Sequence, residues 1–479
     1  MTPSLKRKLL IAGAFLIAAA AVLGVGVWFT LFRLGPDPFE TAGGDPTERY
    51  KYGSIGAEVT NGFPYWIWRA LPTVFRDELP GGYESLGFVF EEGRATPIGI
   101  PVRDVGVVTR VGINCAICHS GTFRTSAQAS TTVIPGAPTA RMDIQGYQRF
   151  LTAAAASPKF TPDTLVPAMK EVHDMSLFEE ALYRFVIIPG AKSELTKMDE
   201  RNIWMDRNPD WGPGRIDPFN PVKFGILNQQ VDETIGNADM MPNWALGSRD
   251  GHPLHWDGLN TSVREVIVSS ALGDGAPPEA IDFKWLGEMQ QYLSALKPPS
   301  YPLPIDSTLA QRGRTVYMSN CSACHGEPGQ PPKLVAADEV GTDRFRVEMW
   351  GSKDADAYIQ RYASFDWLLT HFQNVDSYLA TTMEGLWLRG PYLHNGSVPT
   401  VADLLTPPDQ RPKTFFRGND VLDPVRMGFV SMAERDPSTN RPFSRYDTSL
   451  PGNSSAGHAY GLELSDDDKR ALIEFLKTQ

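Results

Sequence analysis

The chain has 479 residues, more than a single hydrophobic core normally serves, so two domains with a connecting region are expected. Hydrophobic residues make up 42% and charged residues 21%, a globular balance that excludes a disordered scaffold; 39 Pro, 43 Gly and 11 Trp point to long ordered loops around short helices. The formal charge of -11 argues against nucleic acid, whose phosphates would repel it, and permits docking to a basic redox partner, although an acidic surface also serves solubility.

The chain opens with Lys6, Arg7 and Lys8, an apolar run from Leu9 to Phe32, and Arg33. The run is long enough to span a bilayer, and positive charge before it places everything after Arg33 on the outer side. Residues 1–33 are therefore expected to form an N-terminal membrane anchor or signal segment, with an uncleaved transmembrane helix preferred because a signal peptide has a shorter apolar region. Further on, Phe63-Pro64-Tyr65-Trp66-Ile67-Trp68 suits an apolar substrate pocket or, more commonly, core. The run Val105 to Gly112 is β-branched and Gly-punctuated, and reads as strand or loop.

Next comes Cys115-Ala116-Ile117-Cys118-His119, a pattern repeated as Cys321-Ser322-Ala323-Cys324-His325; no cysteine lies outside the two runs. Two thiols three positions apart reach the two vinyl groups of one haem, and the adjacent imidazole is presented to its iron. A zinc site built from both pairs would need them to converge across roughly two hundred residues. Two covalently bound haem c groups are expected, with His119 and His325 as proximal ligands. Haem c is attached outside the cytoplasm in bacteria, so the expected location is the periplasmic side of the bacterial inner membrane, or the periplasm after signal cleavage. With every Cys committed to haem, no disulfide remains.

Between the motifs, His173 lies in a charged stretch and reads as a solvated surface residue, while His252 and His255 flank Pro253 in a loop. His255 and Trp256 are candidates for lining a reactive haem pocket or the route between haems; a packed Trp and a hydrogen-bonded His is the alternative. Leu286, Met289, Leu293 and Leu296 form the stripe of an amphipathic helix, which the prolines of Lys297 to Pro304 terminate. Residues 45–297 are taken as a first haem c domain and 306–479 as a second.

The second half starts with a helix expected from about Ser307 to Asn320. In small cytochromes c, which this half resembles, such a helix crosses the terminal helix; Gly313 would permit the close approach, with Tyr317 and Phe475 as an aromatic pair. His371 reads as a packed helix residue, and Arg389 as a propionate partner, because its planar fork suits a carboxylate. For the sixth ligand of the second haem, His458 in a Gly-rich loop is favoured and Met427 is the competitor; His394 reads as a loop-fixing or propionate-bonding residue. For the first haem no sixth ligand stands out, which favours an open site. Ser465, Asp466 to Asp468, Leu472, Ile473 and Leu476 mark a capped, amphipathic closing helix.

Arg389-Gly390-Pro391-Tyr392-Leu393-His394-Asn395-Gly396-Ser397-Val398-Pro399-Thr400 resembles a signature of the bacterial di-haem cytochrome c peroxidase superfamily. His255-Trp256-Asp257-Gly258, Pro451-Gly452-Asn453 and Gly457-His458 look more like its rubber-oxygenase branch. The resemblance covers most of residues 45–479, more strongly in the second half. It implies a mainly α fold of two cytochrome-c-like haem domains with long loops, one haem reacting and the other relaying electrons. The chain is shorter than the rubber oxygenases and carries an apolar N-terminal run, two departures that bear on the substrate.

The expected function is a membrane-anchored periplasmic di-haem oxidoreductase. One open haem would handle peroxide or oxygen, and the other would exchange electrons with a small redox protein or a quinol-chain partner. The alternative is an electron-transfer subunit with two six-coordinate haems and no chemistry of its own.

Overall fold

The computed structural model describes residues 33–39, 44–327, 330–365, 367 and 369–479, with positions 17, 18, 22, 24 and 26 before them. The transmembrane helix expected over 9–32 falls almost wholly outside these residues. Among the described residues no helix is long and apolar enough to cross a membrane. The expectation of a mainly helical chain headed by a membrane-spanning helix is corrected accordingly. Helix accounts for 41% and strand for 11%, and the elements are short. The longest described α-helix, Ile188–Asn202, has 15 residues, against the roughly 20 a bilayer requires. Dense Pro and Gly cut the chain into brief helices and paired strands of two to four residues.

The β-branched run before the first motif forms a hairpin, Val102–Val105 with Val108–Val111, to which Phe63–Pro64 adds a third strand. The aromatic run that follows is core: Ile67 and Trp68 are buried, and Trp68 stacks on Tyr83 with ring centroids 4.3 Å apart. Phe283–Ala295 buries Leu286, Met289 and Leu293 and stops at Leu296, where the chain turns extended into the proline-rich stretch.

Ser307–Asn320 packs across the closing helix Asp466–Leu476, whose N-cap Ser465 accepts from the Asp468 N–H. A Cβ on Gly313 would lie 1.9 Å from the Ala471 carbonyl oxygen, so only glycine permits this crossing. Tyr317 and Phe475 meet one turn further on, with centroids 5.2 Å apart.

The stretches on either side of 298–304 share their interiors. One apolar cluster joins Tyr50, Trp285 and Leu293 to Trp350 and Tyr358, and another joins Phe123 and Trp244 to Tyr317, Trp387 and Phe475. Polar ties cross as well: Arg124 bridges the buried Asp420 at 2.7 Å and also binds Asp436, while Arg346 reaches Asp257 at 3.1 Å.

Candidate functional site

The first motif sits on a short 3-10 helix, Cys115–Ile117, directly after the hairpin. Asn114 caps it, accepting from the Ala116 N–H at 2.9 Å, and its amide donates to the Gly53 and Tyr50 carbonyls at 2.9 and 3.3 Å. The His119 carbonyl accepts from the Tyr50 hydroxyl and from the Gly136 N–H, both at 2.7 Å. Gly99, at φ +86°, passes so close that a Cβ would stand 2.4 Å from Ile117 Cα. The backbone is thus fixed while the imidazole stays uncommitted: Nδ1 is buried with no hydrogen-bond partner. Burial holds the ring down to about 4, with the nearby Met241 carbonyl opposing from outside hydrogen-bonding geometry.

His255 lies within electrostatic reach of His119. Its Nε2 is also buried without a partner. Burial first, then Arg346, hold it down to about 4, with Asp257 opposing and Arg249 and His119 adding to the depression. Both imidazoles are therefore neutral across the ordinary pH range, the form that binds metal or accepts a proton. Beside it, Trp256 donates its Nε1–H to the Asp239 carbonyl at 2.7 Å, and its own carbonyl accepts from the Leu379 N–H at 2.7 Å. Leu379 lies two residues before Thr381, whose carbonyl holds His325, so the Trp256 backbone is tied to the segment that orients the second proximal imidazole.

At the second motif, Cys321 ends the Ser307–Asn320 helix and Ser322–His325 forms one further turn. His325 Nδ1–H donates to the Thr381 carbonyl at 2.8 Å, which fixes the tautomer and leaves Nε2 as the free ligating nitrogen. The His458 ring faces it with centroids 6.1 Å apart. A single metal atom between two imidazoles needs this spacing: a bond of about 2 Å on each side plus about 1 Å from nitrogen to ring centre. Burial, then His325 and Arg411, hold His458 down to about 4. Gly457 at φ +76° lets the loop pass against Gly341 and Thr342, where a Cβ would stand 2.2 Å from the Thr342 nitrogen. Arg411, 2% exposed, donates from Nη1 to the Ser455 and Gly457 carbonyls at 2.6 and 2.9 Å and from Nη2 to His458 at 3.1 Å, closing the loop from outside.

The other candidates fall elsewhere. Met427 packs with Tyr392, Val398 and Phe429 in the apolar cluster under the closing helix. Arg389 is buried as a carboxylate partner should be, yet it meets no carboxylate; it donates to the Thr382 carbonyl at 2.6 Å and to Thr381 Oγ1 at 2.8 Å. His394 fixes its loop: it stacks on Tyr378 and reaches Asp343 at 3.2 Å. Two expectations are corrected. His371 is on an irregular segment and half-exposed, tied to Glu265 at 2.6 Å, because Glu265 accepts from the Thr370 and His371 N–H groups as well. His173 is no freely solvated residue, since it stacks on Trp66 at 3.9 Å and bonds Glu179 at 2.8 Å. Sequence reasoning missed Thr381, Arg411 and Arg249; nothing local to those positions marks them.

These residues fit the group the motifs imply. None of the four cysteines is paired in a disulfide, so both pairs are available for thioether links to haem vinyl groups. Among the described residues no cluster of His, Cys, Asp and Glu could hold a bare metal ion. Unpartnered buried ring nitrogens and a facing imidazole pair are what porphyrin iron would complete.

Residues 377–416 match a family model described as RoxA-like, cytochrome c-like. The match runs from the strand Ser377–Leu379 through Thr381, Arg389 and the signature to Phe416. It supports kinship with rubber-oxygenase-like haem proteins, implies covalently bound haem c and points to a haem-containing oxidoreductase. It lends no support to the peroxidase side of the expected kinship. Two proteins of Sinorhizobium fredii (strain NBRC 101917 / NGR234), both described as uncharacterized, are similar to the chain. Protein y4iJ is 23% identical over 505 residues, covering 84% of this chain and 82% of its own length. Protein y4iM is 26% identical over 269 residues, covering 47% of this chain and 61% of its own length.

Proposed function

We propose that this chain is an extracytoplasmic oxidoreductase carrying two covalently bound haems, one at Cys115 and Cys118 for peroxide or oxygen chemistry and one at Cys321 and Cys324 for electron transfer. The observation that supports this reading is the asymmetry of the two sites. His325 is faced by the His458 ring at 6.1 Å, a closed pair suited to passing electrons. His119 has no such ring contact among the described residues, and near it lies a neutral imidazole whose buried Nε2 has no partner. When bound, a haem at Cys115 and Cys118 would supply the redox chemistry, and His255, a neutral imidazole with a buried, unpartnered Nε2, is the residue that would hold or pass a proton beside it. Trp256 is held by its bonds to Asp239 and Leu379 and serves as the link between the sites. Electrons would come from a small redox protein or a quinol-chain component, and the acidic surface suits a basic partner.

One observation favours a second reading. The unpartnered Nε2 of His255 is also a free ligand nitrogen, and if it closes the first haem the protein is an electron carrier without chemistry of its own. Absorption and EPR spectra of the mature protein separate the two. A ferric high-spin population that shifts with cyanide, beside one low-spin haem, is expected. Two low-spin haems in every redox state would overturn the oxidoreductase reading in favour of the carrier.

A further inference from the structure

Two buried arginines form no ion pair among the described residues. Arg249 ends the 3-10 helix Leu246–Arg249 and is 7% exposed. Among the described residues its guanidinium makes no hydrogen bond or ion pair, and its buried Nε has no partner. Arg389, also 7% exposed, donates only to Thr381 and Thr382 and has no ion pair either. The other buried arginines each have an ion pair or a set of carbonyl acceptors: Arg124, Arg346 and Arg417 pair with aspartates, although Arg346 Nε is itself unpartnered, and Arg215 and Arg411 donate largely to backbone carbonyls.

Arg389 touches the second site through Thr381, and Arg249 is within electrostatic reach of Arg389 and of His255. Arg249 is the strongest charge acting on Arg389, while Arg389 acts on His325 and binds the residue whose carbonyl holds that imidazole. Glu384 acts on both arginines, though it forms no ion pair with either. Two buried guanidiniums that repel each other are strongly destabilising unless an anion joins them, and a guanidinium does not escape by losing its proton. Among the described residues Glu384 and, for Arg389, Asp239 act from a distance, but no carboxylate forms an ion pair with either arginine. A haem carries two propionate carboxylates, and a planar fork binds a carboxylate through two parallel hydrogen bonds.

We infer that Arg249 and Arg389 together form a carboxylate clamp that holds porphyrin propionates. The inference rests on the di-haem reading above and adds Arg249 to it. Its consequence is electrostatic: a fixed positive charge in a dry region favours the reduced haem and raises its potential.

The test uses the full-length mature protein with R249Q and R249K, read by intact mass, potentiometric titration and the propionate-bending bands of resonance Raman spectra. Two covalent haems are expected in wild type and in both variants. R249Q lowers the potential of one haem and shifts its propionate band. R249K keeps the charge without the fork, restores most of the potential and still shifts the band. If R249Q matures with fewer haems, the R249K band shift carries the decision. Wild-type potentials and bands in R249K, with both haems present, would overturn the clamp and leave the di-haem reading intact. A wild type with fewer than two thioether-linked haems would overturn that reading itself.

Discussion

Replacing Arg411 with Lys tests whether the His458 ring is held in place from outside its own loop. The guanidinium makes five hydrogen bonds to backbone carbonyls: Nε to Thr406, Nη1 to Ser455 and Gly457, Nη2 to Leu404 and His458. Lysine keeps the charge but donates from a single atom to three partners at most, so at least two carbonyls in this buried region lose theirs. At roughly 1–2 kcal/mol for each unmade bond, the variant loses about 2–4 kcal/mol. The loss falls on a loop already under tension, because His458 sits at φ +45°, a region that costs a side-chain-bearing residue about 1–2 kcal/mol. The released loop relaxes by taking the imidazole away from His325. EPR and absorption spectra of Arg411→Lys should show a new cyanide-sensitive high-spin component at the second haem, and the urea midpoint should fall. A variant with an unaltered spectrum and an unaltered midpoint would refute the clamp and weaken His458 as the ligand.

His255→Gln should lower peroxide or oxygen turnover by roughly 10²–10⁴-fold with both haems retained, the usual contribution of a positioned acid–base group; turnover at the wild-type level would remove His255 from the chemistry. The same residue sets an acid limit on stability. Its imidazole titrates near 6.5 in the unfolded chain and is held down to about 4 in the folded one, so the stabilisation is complete above about pH 6.5 and disappears as the pH falls toward 4. Urea midpoints over this window should drop by the equivalent of up to about 1.4 kcal/mol per pH unit from this group, and His255→Gln should flatten the slope. Gly313→Ala should destabilise despite alanine's better helix propensity. The new methyl meets the Ala471 backbone, and overpacking at about 1–3 kcal/mol exceeds the gain of about 0.5–1 kcal/mol. A thermal melt at or above the wild-type temperature would contradict the crossing of the two helices.

Features carried by local chemistry were legible in the sequence. The capped closing helix, the helix before Cys321 and the strands before Cys115 depend on nearest-neighbour rules of capping, periodicity and β-branching, whereas the Gly313 crossing and the Tyr317–Phe475 pair were expected from the resemblance to small cytochromes c. What could not be read were residues that act through the backbone of distant segments. Thr381 orients His325 with a carbonyl that any residue type would supply, and Arg411 reaches its targets 44 to 47 positions away. The error at His371 has the same origin. An apolar neighbourhood suggested a packed helix, but Glu265, 106 positions upstream, binds the backbone and ring of His371 in an irregular, half-exposed segment.

Backbone conformation adds a discriminator between the two candidates for the second haem that composition could not provide. His255, Met427 and His458 all have positive φ, at +64°, +58° and +45°, which non-glycine residues adopt only where the surroundings enforce it. Met427 sits in a tight turn, where its N–H donates to the Asp423 carbonyl and the Asp423 N–H returns to Gly428, its carbonyl accepts from the Val401 N–H at 2.9 Å, and its side chain packs in the apolar cluster with Tyr392 and Phe429. For His458 the enforcement comes from elsewhere, through Val340, whose carbonyl takes the His458 N–H at 2.8 Å, and through Arg411. A strained residue pinned by two remote segments with its ring toward His325 implies that the orientation of the ring is what the fold maintains.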